Sequence, residues 1–107
     1  MGEMRLIEAV RESLREEMKL DSGVFLIGQD IGANGGVFRV TEGLQAEFGM
    51  ERVIDSPLAE SGLVGVAIGA AMNGMRPVVE IQFADFIFPA FNQLVSEAAR
   101  MYYRTNG

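Results

Sequence analysis

Residues 58–74 read Leu58-Ala-Glu-Ser-Gly-Leu-Val-Gly-Val-Ala-Ile-Gly-Ala-Ala-Met-Asn-Gly74. Pro57 precedes them, and proline is common just before or inside the first turn of a helix. Glycine commonly follows the last turn, so the pattern predicts a helix that ends at Gly74 and carries Glu60 near its N-terminus. Because apolar residues cover nearly all sides of this helix, we expect it to be buried.

Three glycines, Gly62, Gly65 and Gly69, interrupt this helix. A glycine inside a helix costs about 1 kcal/mol relative to alanine, and the usual reason for keeping one is close approach of another backbone or of a cofactor. Gly65 and Gly69 lie one turn apart, a spacing that lets two helices pack closely. Alternatively, both glycines face the chain's own sheet. The first arrangement predicts that the isolated chain associates with itself.

The composition excludes several kinds of chemistry. The 107 residues suffice for one domain with a modest core. A formal net charge of -6 argues against nucleic acid and anionic membranes as partners. The absence of cysteine excludes disulfides and thiol catalysis, and the absence of histidine excludes most zinc sites and every Ser-His nucleophile. We therefore expect no metal site in this chain.

The N-terminal residues are charged from Glu3 onward and follow a helical period, unlike a signal peptide. No apolar run approaches the ~20 residues of a membrane span. The expected compartment is the cytoplasm, or the mitochondrial matrix if the source is a eukaryote.

Helical and strand patterns alternate along the chain. Apolar residues at helical spacing predict a first helix over Met4–Lys19. Short apolar runs predict strands at Val24–Ile27, Val53–Ile54 and Val78–Phe83, and a last helix opens at Asp85. Strands that alternate with helices indicate an α/β fold, in which a parallel sheet is flanked by helices.

Between the first two strands, Gln29–Phe38 is rich in glycine. Such a loop could cradle phosphate, but neither Walker nor Rossmann spacing is present. The alternative, which we favour, is a loop that needs positive φ at Gly35 or Gly36. Thr41 is then placed to cap a short helix that continues to Phe48.

Polar and aromatic residues follow the predicted strands. In parallel sheets ligands collect beyond the carboxyl ends of the strands, and Gln29, Leu58 and Gln82–Phe86 all lie at or just beyond such ends, with Glu60 close behind. We therefore expect these residues to converge on one site. Four aromatic residues in the last third of the chain are, by pattern alone, more typical of a core than of a cofactor site: Phe83, Phe86, Phe88 and Phe91.

The sequence resembles a known family over essentially its whole length. The spacing Glu60-x4-Gly65-Val-x-x-Gly69 resembles the motif that thiamine-diphosphate enzymes share. Beyond it, the chain is similar to the beginning of the beta subunit of the decarboxylating component of 2-oxo acid dehydrogenase complexes, of branched-chain or bacterial pyruvate type. The stretches that carry this resemblance are 8–18, 24–32, 35–44, 52–62 and 80–93. The resemblance implies the α/β pyrimidine-domain fold, incomplete, with residues 1–107 as the N-terminal part of the pyrimidine-binding domain.

The resemblance also implies roles for individual residues. It makes Glu60 the catalytic glutamate, which shares a proton with the aminopyrimidine ring of thiamine diphosphate, and it makes Leu58, Gln82 and Phe86 further contacts of that ring. The family usually has an acidic residue where this chain has Gln29, and that residue is thought to join a carboxylate relay between paired sites. Glutamine can form hydrogen bonds but cannot ionise, so Gln29 cannot act as a carboxylate in such a relay.

The family's diphosphate and magnesium lie on an alpha subunit, through a Gly-Asp-Gly…Asn motif that this sequence lacks. The implied partners are that alpha subunit, a second beta subunit and a lipoyl-bearing acyltransferase core. The implied activity is oxidative decarboxylation of a 2-oxo acid with acyl transfer to lipoyl, and the isolated chain should be inactive. Two alternatives stay open: a non-catalytic interaction module of the same fold, and the pyrimidine domain of another thiamine enzyme such as a transketolase-like protein.

Overall fold

The fold is built on three parallel strands, seen in a computed structural model that describes residues 3–57 and 59–107. The strands are β1 (Val24–Gly28), β2 (Val53–Asp55) and β3 (Arg76–Glu80), and their order in the sheet is β2-β1-β3. Gly28 pairs with Asp55 on one side and with Glu80 on the other, so the three strands end together. The predicted α/β fold with a parallel sheet flanked by helices is confirmed.

Helices cover both faces of this sheet. Helix α1 (Leu6–Leu20) and the short helix α2 (Leu44–Phe48) lie on one face, and helix α3 (Glu60–Met72) lies on the other. The first helix, predicted to begin at Met4, begins two residues later, at Leu6. Within residues 3–57 and 59–107, none of the helices has the length and apolar character needed to cross a membrane.

The alternation of side chains along β1 divides the core into two clusters. All five residues of β1 are buried, as expected for the central strand of a parallel sheet. Alternate residues of a strand point to opposite faces, so β1 supplies Val24 and Leu26 to the α1 side and Phe25 and Ile27 to the α3 side. The first cluster contains Met18, Val24, Leu26, Ile31, Leu44 and Val53, and the second contains Phe25, Ile27 and Leu63.

The glycine-rich loop after β1 folds back on itself. Gly35 and Gly36 have φ values of 74° and 86°, which confirms the predicted positive φ. The prediction that Thr41 caps α2 is wrong, because that helix begins after Gly43 and has no side-chain cap. The Thr41 hydroxyl instead donates to the Ile31 carbonyl oxygen at 2.7 Å, which closes the loop from within.

Helix α3 ends as the sequence predicts but is not buried all round. Gly74, with φ of 90°, follows the helix, and its N–H donates to the Ala71 carbonyl while the Met75 N–H donates to Ala70. This pair of bonds is a Schellman motif. Only one face of α3 is buried, through Leu63, Val64 and Ala67. The other face carries the glycines and has no partner among the described residues, so the all-round burial that the sequence predicted is wrong for this chain.

The glycines of α3 do not face the sheet. A Cβ placed on Gly65 or Gly69 would meet nothing within 4 Å beyond the helix itself, among the described residues. Val66 on the same helix is 59% exposed. The alternative in which Gly65 and Gly69 pack against the chain's own sheet is therefore wrong.

The chain after β3 is less regular than the sequence predicted. Strand β3 ends at Glu80, which pairs with Gly28 at the end of β1, so Gln82 lies beyond the strand and does not share a strand face with Glu80. The single last helix is replaced by a 3₁₀ helix (Ala84–Ala90) that contains Pro89, a π-helical segment (Gln93–Ala98) and a short α4 (Met101–Arg104).

The aromatic side chains of this region do not form a core. Four of them are 40–71% exposed: Phe83, Phe86, Phe88 and Phe91. The interpretation of this group as core is wrong, because all four side chains are left accessible.

Candidate active site

The site lies where the three strands end. Gly28, Asp55 and Glu80 are in register at the carboxyl edge of the sheet, which is where parallel α/β sheets bind ligands. Gln29 follows β1 directly, and Gln82 lies two residues beyond β3. Strand β2 ends at Asp55, and the next helix, α3, begins at Glu60.

A cleft of about 370 Å³ opens at this edge and is lined by Gln29, Glu60, Gln82, Phe86 and Pro89. Three residues assigned from the resemblance, Glu60, Gln82 and Phe86, are therefore brought together although 26 positions separate the first from the last. The fourth, Leu58, lies outside the residues that the structure describes. Gln29, whose place at a strand end suggested a ligand site, lines the same cleft.

Each lining side chain is placed by a different local element. Glu60 is the first residue of α3 and follows Ala59, whose carbonyl accepts the Leu63 N–H at 2.8 Å. A carboxylate in the first turn is stabilised by the positive end of the helix dipole. Phe86 lies in the 3₁₀ helix, and its N–H donates to the Phe83 carbonyl at 2.9 Å.

The chemistry of the cleft suits a flat, nitrogen-rich ring. Glu60 offers a carboxylate, Gln29 and Gln82 offer amides that both donate and accept hydrogen bonds, and Phe86 offers an aromatic face. An aminopyrimidine carries ring nitrogens and an amino group that match these donors and acceptors, so the residues present fit that half of thiamine diphosphate. In the described part of the chain, no group of three or more Asp or Glu side chains is arranged to hold a metal ion.

Another carboxylate lies near the cleft but outside it. Glu80 ends β3, and burial raises the pKa of its carboxyl group. It lines a separate cavity of about 160 Å³ between α1 and the sheet, with Thr41 among its neighbours. Its carboxylate approaches the loop closely, since a Cβ on Gly36 would lie 3.3 Å from Glu80 Oε2.

A larger hollow lies elsewhere. It has a volume of about 470 Å³, lies between α3 and the C-terminal segment, and has no carboxylate in its lining, which consists of Ile68, Ala71, Met72, Ala98, Met101, Tyr102, Thr105 and Gly107. A site for chemistry needs convergent polar groups. We therefore place the functional site in the smaller cleft at the strand ends.

Sequence reasoning missed one lining residue, Pro89. It reaches the cleft because residues 84–90 form a 3₁₀ helix rather than the start of an α-helix. A proline five residues into a predicted helix was the available signal, since proline removes a backbone N–H and interrupts regular α-helix.

Comparison with known families identifies the family to which this chain belongs. The family model described as "Transketolase, pyrimidine binding domain" matches residues 2–106. The chain belongs to this family.

Relatives of this pyrimidine-binding domain are beta subunits of 2-oxo acid dehydrogenases. The chain is 58% identical over 106 residues to the 2-oxoisovalerate dehydrogenase subunit beta of Bacillus subtilis, covering 99% of the chain and 32% of the relative. It is 51% identical over 107 residues to the pyruvate dehydrogenase E1 component subunit beta of the same organism, covering 100% of the chain and 33% of the relative. A mitochondrial 2-oxoisovalerate dehydrogenase subunit beta from Chaetomium thermophilum is 52% identical over 101 residues, which are 94% of the chain and 21% of the relative.

These matches confirm the resemblance to the beta subunits that the sequence motifs indicated. This chain spans about a third of the length of the two Bacillus relatives. The activity, substrates and partners of a whole subunit are therefore proposals for this chain.

Proposed function

We propose that this chain forms the pyrimidine side of a thiamine-diphosphate site in a 2-oxo acid dehydrogenase beta subunit. The observation that carries the proposal is the convergence of Glu60, Gln82 and Phe86 on one cleft at the carboxyl ends of the strands. The chain would be the N-terminal part of the pyrimidine-binding domain, which agrees with a family match over residues 2–106 and with its share of the relatives' length.

Three residues of the cleft have separate tasks in this proposal. Glu60 holds a proton in a hydrogen bond to a ring nitrogen of the aminopyrimidine and is the catalytic residue. Gln82 orients the ring through its amide, and Phe86 supplies an apolar face that excludes water from it. Leu58 is proposed as a further apolar contact on the strength of its place in the motif alone.

When bound, the cofactor would supply a nucleophilic carbon for attack on the keto group of a 2-oxo acid and would carry the fragment that remains after carbon dioxide leaves, which the lipoyl disulfide would oxidise and accept as an acyl group. The task of this chain is to hold and orient the pyrimidine and to manage one proton at Glu60 Oε. In this proposal the diphosphate and magnesium are held by the partner chain, since the Gly-Asp-Gly motif that holds them in the resembled family does not occur in this sequence.

The partners follow from this division of the site. An alpha subunit would hold the diphosphate and magnesium, a second beta subunit would complete the paired assembly, and a lipoyl-bearing acyltransferase would accept the acyl group. The names of the relatives support this, since they are beta subunits of dehydrogenases. The proposed compartment is the cytoplasm of a bacterium or the mitochondrial matrix of a eukaryote, and one relative is named mitochondrial.

Reconstitution tests the proposal. The full-length subunit is co-expressed with a neighbouring gene product that carries Gly-Asp-Gly…Asn, and release of carbon dioxide from pyruvate and from 2-oxoisovalerate is measured with magnesium, thiamine diphosphate and a lipoyl-bearing acyltransferase domain as the acceptor. We expect activity that requires both chains, and no activity from the 107-residue chain alone. Transfer from a ketose phosphate instead would identify a transketolase-like enzyme, and inactivity toward all substrates would favour a non-catalytic module.

A further inference from the structure

The glycine-rich loop between β1 and α2 is a closed, internally bonded unit. The Gly36 N–H donates to the Asp30 carbonyl at 2.8 Å, and the Thr41 N–H donates to Gly35 at 3.0 Å. These bonds occupy backbone groups inside the loop, so it is not a cradle of free N–H groups for phosphate. The loop begins at Gln29, which lines the cleft.

The loop is pinned to α1 from outside. Arg11 donates through Nε to the Val40 carbonyl at 3.1 Å and through Nη2 to the Arg39 carbonyl. Arg39 itself adopts φ of 63°, and its side chain donates to the Asn34 carbonyl. The backbone on the C-terminal side of Phe38 is therefore held at a fixed position relative to the sheet.

Three aromatic rings run from this loop to the cleft. The centroids of Phe38 and Phe83 lie 5.7 Å apart with an interplanar angle of 77°. Those of Phe83 and Phe86 lie 5.4 Å apart at 75°. Both pairs are edge-to-face, a favoured geometry for aromatic side chains. The third ring, Phe86, lines the cleft.

The segment that carries Phe86 needs such support. It is a 3₁₀ helix, whose hydrogen bonds are poorer than those of an α-helix, and it contains Pro89, which offers no N–H. Phe86 is 40% exposed and Phe83 is 47% exposed, so neither ring is fixed by full burial. The ring of Phe38 is itself 55% exposed, but the backbone that follows it is bonded to Arg11, so Phe38 supplies an anchored aromatic contact at the outer end of this row.

We infer that Phe38 is a positioning residue that holds Phe86 against the cofactor ring through Phe83. This inference rests on the proposed function for its consequence, because the ring that Phe86 would contact is the aminopyrimidine. Its structural part, the contact row from Phe38 to Phe86, stands without any cofactor. Phe38 does not line the cleft. We therefore expect its replacement to change the affinity for the cofactor and not the proton transfer at Glu60.

The test uses the full-length subunit assembled with its partner chain. Phe38→Ala should raise the KM for thiamine diphosphate about three- to tenfold, the effect of losing one edge-to-face pair, while kcat stays within about twofold. Phe38→Tyr keeps the ring and should restore the wild-type KM. Two matched controls should leave the KM unchanged: Val37→Ala, the exposed neighbour in the loop, and Phe88→Ala, an exposed ring on the same 3₁₀ helix outside the row.

A second measurement does not depend on activity. 4-Fluorophenylalanine is placed at position 86, and its ¹⁹F resonance is compared in the wild type, in Phe38→Leu and in Val37→Ala. The inference predicts a shifted or broadened resonance in Phe38→Leu and an unchanged one in Val37→Ala. An unchanged resonance in both variants would overturn the row, and a shifted resonance with an unaltered KM would overturn the positioning role. A wild-type assembly without thiamine-dependent activity would instead contradict the proposed function, and the ¹⁹F result would still decide the row.

Discussion

Arg52 joins three parts of the fold, and replacing it with lysine should unfold the chain at a much lower temperature. Its Nη2 donates to the carbonyls of Met18, Asp21 and Val24 at 2.7, 2.9 and 2.8 Å, and its Nε donates to Val24 at 3.2 Å. Its guanidinium also lies 5.1 Å from the centre of the Phe48 ring. The side chain thereby ties the end of α1, the following turn and the start of β1 to α2.

The size of the effect follows from these contacts. A hydrogen bond from a charged donor contributes about 1.5–3 kcal/mol. Lysine lacks the Nε–H donor, and its side chain ends one bond short of the position of Nη2, so we expect its ammonium group to leave part of these carbonyls without a donor. Loss of two such bonds at the lower end of that range gives a destabilisation on the order of 3 kcal/mol. For a domain of about 100 residues this corresponds to a fall in Tm of at least about 12 °C.

The assay is thermal and denaturant unfolding of the 107-residue chain at a single protein concentration, because self-association would shift Tm. Arg76→Lys is the matched control. Arg76 is 77% exposed and makes one ion pair, with Asp21 at 3.4 Å. Such surface pairs contribute about 0–1 kcal/mol. The reasoning is refuted if Arg52→Lys lies within about 1 kcal/mol of the wild type.

Three other changes test separate parts of the structure. Because burial raises the pKa of Glu80, the folded chain keeps that proton to higher pH than the unfolded chain, and stability should fall as pH rises above the ordinary value of about 4.5. Glu80→Gln should remove this slope from a plot of Tm against pH, and equal slopes in both proteins would contradict the assignment. Gly65→Leu and Gly69→Leu should weaken self-association in sedimentation while the circular dichroism spectrum of the folded chain stays unchanged, since both positions face open space among the described residues; a wild-type chain that stays monomeric at micromolar concentrations would contradict this. If a carboxylate at position 29 supports communication between paired sites, Gln29→Glu should change the kinetics of cofactor binding at the second site of the full assembly, and identical kinetics would leave Gln29 an ordinary cleft residue.

The sheet and the convergence of the site were predictable because they depend on local signals. Buried strands are continuous apolar runs, so Val24–Ile27 was recognised and lies within β1. The end of α3 was predictable because Gly74 adopts the left-handed conformation that favours glycine. The site followed from these elements, since parallel strands bring their carboxyl ends to one edge.

The errors arose where the outcome depends on partners that a local pattern does not identify. An apolar helix surface has the same composition whether it packs on the sheet or remains open, so the exposed glycine face of α3 was read as buried. Strand β3 ends at Glu80, which pairs with Gly28 at the end of β1. The Thr41 hydroxyl is suited to a helix cap, but it donates a hydrogen bond to the Ile31 carbonyl oxygen instead.

The most direct test of the central claim, that Glu60 manages the proton of the cofactor ring, is exchange of the thiamine diphosphate C2 proton in the full-length assembly. We predict that Glu60→Gln slows exchange by about 100-fold or more, with cofactor still bound as measured by calorimetry. Glu51→Gln, a change at an exposed glutamate away from the cleft, should leave the rate unaltered. Exchange at the wild-type rate in Glu60→Gln would contradict the account and remove Glu60 from the chemistry.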